Sequence, residues 1–99
     1  MNAVGLKNFT EQVINSPEPV LVDFWASYCA PCRALKPILN EVSATGAKVV
    51  TVDITEEPEL TAHYGITAIP TLVVFKGGQP GQRVVGVKKK DELLQLISA

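Results

Sequence analysis

The chain predicts an α/β fold with a mixed central β-sheet and helices on both faces, in the order β-α-β-α-β-α-β-β-α. Three observations support this. Strand-like and helix-like runs alternate along most of its 99 residues, the pattern of crossover connections between parallel strands. Residues 20–26 are apolar on both strand faces, as in a strand buried mid-sheet, and Asp23 is the exception. Gly77-Gly78 separates the last two strand-like runs. Paired glycines favour a tight hairpin, so that pair runs antiparallel.

Taken in order, residues 3–6 read as a short edge strand. Asn8 is placed to cap a helix running to about Asn15, with Phe9, Val13 and Ile14 facing inward. Pro17 and Pro19 end it, and residues 20–26 form the central strand. Residues 29–44 read as a helix with Pro37 inside it. Pro37 lacks an amide hydrogen and its ring crowds the preceding turn, so a kink is expected there. Gly46 closes the element. Residues 48–54, rich in Val and Thr, form the next strand. Thr55-Glu56-Glu57-Pro58-Glu59 reads as a helix start, with a hydroxyl cap, early acids and an early proline. That helix ends at Gly65. Residues 71–75 and 83–87 are the hairpin strands. A last helix, from Lys90 or Asp91 to Ser98, carries Leu93, Leu94, Leu96 and Ile97 as its apolar face.

A chain of this length forms one domain over residues 1–99 and buries roughly 60–65% of its unfolded surface. It is 46% hydrophobic and 19% charged, which excludes a disordered chain. The net charge is −1, with no basic block beyond Lys88-Lys89-Lys90. That run reads as solvated surface, and no nucleic-acid partner is expected. No apolar run approaches the roughly 20 residues of a membrane span. The first ten residues lack the apolar centre of a signal peptide. A cytoplasmic monomer that meets no membrane is the expectation.

The only two cysteines lie in Cys29-Ala30-Pro31-Cys32, where the central strand gives way to the long helix. Reducing compartments disfavour structural disulfides, so a lone close pair there points to redox catalysis or metal binding. A four-ligand zinc site needs more than Cys29, Cys32 and one distant His63. Thiol–disulfide exchange fits better. A helix start offers unpaired amide hydrogens and the positive end of the dipole, which favour a thiolate on Cys29, the expected nucleophile. One helical turn returns the Cys32 sulfur beside it. Pro31 suits a first turn, where amide hydrogens lack partners in any case. Asp23 shares a strand face with Leu21 and Trp25, so burial is expected to raise its pKa. It is either a carboxylate satisfied by backbone donors or a proton-transfer group. His63 reads as a helix-end surface residue.

Trp25-Ala26-Ser27-Tyr28-Cys29-Ala30-Pro31-Cys32-Arg33 resembles the active-site segment of the thioredoxin family. Pro37 resembles that family's helix proline, and Ile69-Pro70-Thr71 resembles its cis-proline segment. Phe75-Lys76-Gly77-Gly78 and Gly86 are similar to its closing hairpin. The resemblance runs from about Phe9 to the end. It implies a small dithiol carrier that reduces protein disulfides and is itself re-reduced by a thioredoxin reductase. It implies no bound cofactor, since the electrons ride on Cys29 and Cys32. It makes Cys32 the resolving thiol and Asp23 the acceptor of its proton, and it makes the Ile69–Pro70 bond cis. It further implies a docking face around Cys29, formed by Trp25, Tyr28, Ala30, Pro31, Ile54, Ile69, Pro70, Val85, Gly86 and Val87. Three positions depart from the family pattern. Ala30 replaces the usual Gly, Tyr28 the usual second Trp, and Thr51 a lysine often found on the third strand. Two rival readings remain at this point: a disulfide oxidase or isomerase, and a binding module whose dithiol is incidental.

Overall fold

The computed structural model describes residues 1–99. Five strands form one sheet: β1 (Asn2–Ala3), β2 (Val20–Trp25), β3 (Lys48–Asp53), β4 (Thr71–Lys76) and β5 (Gln79–Val85). Three α-helices accompany them: α1 (Ala30–Ala44), α2 (Pro58–His63) and α3 (Lys90–Ser98). The spatial order is β1-β3-β2-β4-β5. β3 lies parallel to both β1 and β2, whereas β4 lies antiparallel to β2 and β5. The sheet is mixed, as expected, and β2 is central.

Side chains alternate across a strand, so β2 feeds two cores. Val20, Val22 and Phe24 enter one cluster with Phe9, Val13, Val50, Leu60 and Phe75. Leu21 enters the other, with Leu35, Leu39, Val42, Val74 and Leu93. The first cluster is roofed by the segment before β2 and by α2, the second by α1 and α3. Each fully buried Leu or Phe contributes about 1.5–3 kcal/mol. Helix α1 buries Cys32, Leu35, Leu39 and Val42, a 3-4-3 spacing that makes one helical stripe. The reactive pair and the core-facing residues therefore share a face, and packing of the stripe fixes the sulfurs.

Several boundaries differ from expectation. The first strand is Asn2–Ala3 rather than residues 3–6. The Val4 amide still donates to Thr51, but the Gly5 amide donates to Asn8 Oδ1 (2.8 Å) and the Leu6 amide to Glu57 Oε1 (3.0 Å). Side-chain acceptors thus end the strand early. Asn8 is consequently not a helix cap. The helix expected up to Asn15 is a π-helical segment, Thr10–Ile14, in which Asn15 N–H reaches Thr10 O at 2.8 Å. Val13 within it and Phe9 just before it are buried as expected. Thr55 does not cap α2. Its hydroxyl donates to Asp53 Oδ1 at 2.7 Å in a turn, and the helix starts at Pro58. The last strand, expected over residues 83–87, runs Gln79–Val85 and leaves Gly86 and Val87 beyond its end. Helix α1 runs through Pro37 unbroken, and Gly46, at φ +97°, follows its end.

Candidate active site

The site forms where the C-terminal end of β2 passes into α1. Cys29 is the N-cap of α1, with extended backbone, and its sulfur accepts the Cys32 N–H at 3.2 Å. Pro31 occupies the first turn, where its missing amide hydrogen leaves no bond unmade. The two sulfurs are joined as a disulfide across a Cα–Cα distance of 5.2 Å. Cys29 is 8% exposed and Cys32 3%, so an incoming disulfide meets Cys29 first. The Arg33 guanidinium donates to the Ser27 carbonyl at 2.8 Å and steadies the loop before the pair.

Opposite the pair, the Ile69–Pro70 bond is cis. The Ile69 carbonyl oxygen lies 3.9 Å from Cys29 Sγ. Gly86 donates its amide to Pro70 O at 2.9 Å, which draws the end of β5 to the same place. Ile54 donates to the Trp25 carbonyl at 3.0 Å and closes the other flank. Tyr28, Val85 and Val87 are exposed, at 70%, 51% and 44%. Ala30 and Pro31 are exposed, Trp25, Ile54, Ile69 and Gly86 are half-buried, and Pro70 is buried. Ile69 thus lies against Cys29, Gly86 is tied to Pro70, and Tyr28, Ala30 and Pro31 adjoin the pair in sequence. His63 lies apart, in the last turn of α2, with its ring edge-on to Tyr64 at 4.7 Å. No three His, Cys, Asp or Glu side chains gather as a metal site would require.

Asp23 sits on β2 below the pair, 4% exposed, and its Oδ1 accepts no hydrogen bond from the protein. Burial raises its pKa from 3.8 to about 7, while the positive charge of Lys36 pulls the other way. A small cavity of about 50 Å³ joins Asp23 to Cys32 and is lined further by Trp25, Lys36 and Thr51. A void of that size has room for water; its walls are mostly apolar, with the Asp23 carboxyl, Thr51 and Lys36 as polar partners. Thr51 pairs directly with Asp23 across the β2–β3 ladder, so the position opposite the carboxylate carries no charge. Lys36 was not among the expected site residues. Its signal was present, since it lies four residues after Cys32 and so on the same side of the helix.

These features define a class: a dithiol/disulfide oxidoreductase whose cysteine pair caps a helix beside a cis-proline. The thioredoxin family model matches residues 1–99. A thioredoxin of Rickettsia bellii is 44% identical over 93% of this chain and 90% of its own length. One of Alicyclobacillus acidocaldarius subsp. acidocaldarius is 45% identical over 84% and 82%. A bifunctional thioredoxin reductase/thioredoxin of Mycobacterium leprae is 40% identical over 92% of this chain, a stretch that makes up 20% of that longer protein. The chain belongs to the thioredoxin family. It is a dithiol/disulfide redox carrier with protein-disulfide oxidoreductase activity.

Proposed function

We propose that the chain, as one domain over residues 1–99, reduces protein disulfides through a mixed disulfide on Cys29 that Cys32 resolves. The Cys29 thiolate attacks one sulfur of the substrate disulfide. A Cys29–substrate S–S bond forms, and the first substrate sulfur leaves as a thiolate that takes a proton from solvent. Cys32 then gives its proton to the Asp23 carboxylate, through water in the shared cavity, and attacks Cys29 Sγ. The Cys29–Cys32 disulfide forms and the second substrate thiolate leaves. Two electrons have passed to the substrate, and no bound cofactor takes part. Asp23 suits this role because its pKa of about 7 lets it hold or release a proton near neutral pH.

The backbone at Ile69 and Pro70, beside Cys29 Sγ, would take an extended substrate strand. Trp25, Tyr28, Ala30, Pro31, Ile54, Val85, Gly86 and Val87 would form the apolar rim around it. A flavin- or iron–sulfur-dependent reductase would restore the dithiol. The fusion of reductase and thioredoxin in the Mycobacterium leprae relative supports such a partner. The expected setting is the cytoplasm, the expected state a monomer, and no helix is long and apolar enough to cross a membrane.

The unequal exposure of the two cysteines, with Cys29 the more open, supports the order of attack. The test is insulin reduction with dithiothreitol as electron source, run with Cys29→Ser and Cys32→Ser beside the wild type. Wild type accelerates precipitation of the insulin chains and both variants do not. Cys32→Ser accumulates covalent complexes with substrate on a non-reducing gel, and Cys29→Ser does not. Equal trapping by both variants would reverse or abolish the assigned order. A folded wild type inert in the assay would favour a binding module instead.

A further inference from the structure

We propose that Lys36 is a positioning residue for proton transfer, supplying from α1 the counter-charge for Asp23 that β3 lacks. The inference rests on the reading of Asp23 as the acceptor of the Cys32 proton.

Thr51, opposite Asp23 in the β2–β3 ladder, has no charge, and Leu72, opposite it on β4, is apolar. Positive charge must therefore come from elsewhere. The charged or titratable groups around the cavity are Cys32, Arg33 and Lys36 of α1 and the amino group of Met1. Arg33 is turned away, with its guanidinium on the Ser27 carbonyl at 2.8 Å. Lys36 is differently placed. Its ammonium lies 5.1 Å from the centroid of the Trp25 ring, within the range of a cation–π contact. Trp25 is two residues beyond Asp23 on the same strand and so on the same face. The ring thus parks the ammonium beside the cavity and restrains a side chain that would otherwise sweep through solvent. Since Asp23 Oδ1 accepts no hydrogen bond, Lys36 acts on it through space. The positive charge that opposes the burial of Asp23 is that of Lys36.

A through-space charge at this range in a partly wet site favours the carboxylate modestly and weakens with salt. The experiment is the pH dependence of disulfide reduction for wild type, Lys36→Met, Lys36→Arg and Asp23→Asn. It is paired with NMR titration of the Asp23 carboxyl carbon in the oxidised protein. Methionine keeps the apolar stem over Trp25 and removes only the charge. Lys36→Met is expected to move the Asp23 midpoint up by about half a pH unit. Reduction well below the midpoint then slows by about threefold, and reduction well above it is unchanged. Lys36→Arg keeps the wild-type midpoint. Salt at about 0.5 M moves the wild type toward Lys36→Met and leaves Lys36→Met where it is. An unmoved midpoint in Lys36→Met, or an equal displacement in Lys36→Arg, overturns the role of Lys36. If Asp23→Asn abolishes the inflection while Lys36→Met leaves it in place, only Lys36 is dismissed. If Asp23→Asn leaves the rate of the Cys32 resolving step unchanged across pH 6–9, the proton-transfer reading fails and this inference with it.

Discussion

Replacing Asp23 by asparagine reads what its charge costs the fold. The folded pKa is raised from 3.8 to about 7. Between those values the native protein keeps a proton that the unfolded chain has released. The carboxyl's favourable contribution is therefore complete below pH 3.8 and lost as pH rises through about 7. Relative to acid, the ionised group costs the native state about 4 kcal/mol above that range. Asp23→Asn is expected to be more stable than wild type by up to about 4 kcal/mol at pH 8. The gain shrinks steadily toward pH 4. Urea unfolding at pH 4, 6 and 8 checks it, and coincident curves at pH 8 would mean the buried charge is not a burden. At this scale much of the site was legible. Two thiols three apart at a helix start, and an acid among apolar strand residues, are visible without coordinates. Lys36 was legible only in part: its spacing from Cys32 puts it on the same side of the helix, but an exposed lysine acquires meaning only when Trp25 and the cavity lie beside it. The cis bond before Pro70 was implied by family resemblance alone, since no local pattern distinguishes it.

The elements were legible where periodicity is strong and blurred where side chains compete with backbone. β2, β3 and α1 were recognised within a residue or two because their burial patterns are unambiguous. The first strand was overextended because nothing in the residue string shows that Asn8 and Glu57 will take the next two amides. β5 was started too late because Pro80 and Gly81 argue against a strand. Both are tolerated here on a sheet edge, beside a register shift between Val73 and Phe75. The hairpin glycines were recognised, and they differ in a testable way. Gly77 and Gly78 have φ of +58° and +81°. A Cβ on Gly77 would meet open space, whereas one on Gly78 would sit 2.9 Å from the Ile14 carbonyl oxygen. Gly78→Ala combines a left-handed backbone with a clash against main chain and is expected to cost about 2–3 kcal/mol. Gly77→Asn is expected to cost less than about 1 kcal/mol, because asparagine tolerates that region. Denaturation midpoints of the two variants measure the difference, and equal losses would show that the Ile14 contact does not matter.

Across the whole molecule, two cores clamp one sheet and hold the cysteine pair rigid at its end. Cys29 and Cys32 are nearly covered, at 8% and 3% exposure, while Tyr28, Val85 and Val87 stand open. On the proposed docking face, a small disulfide would reach Cys29 without touching that rim, whereas a protein substrate would lay chain across it. The rim and the chemistry are thus separable. Val87, 44% exposed, lies one residue past Gly86, whose amide is bonded to Pro70. It can therefore border a bound strand without packing in the core. Covering such a side chain in a complex contributes about 1 kcal/mol, and a carboxylate in its place would have to be desolvated instead. Val87→Asp is expected to raise KM for a protein disulfide at least about fivefold with kcat little altered. Reduction of a small aromatic disulfide is expected to stay within about twofold of wild type, since no rim contact is made. Steady-state kinetics on both substrates make the comparison. A parallel fall for both would place Val87 in the chemistry or the fold, and no change for either would remove it from the docking surface.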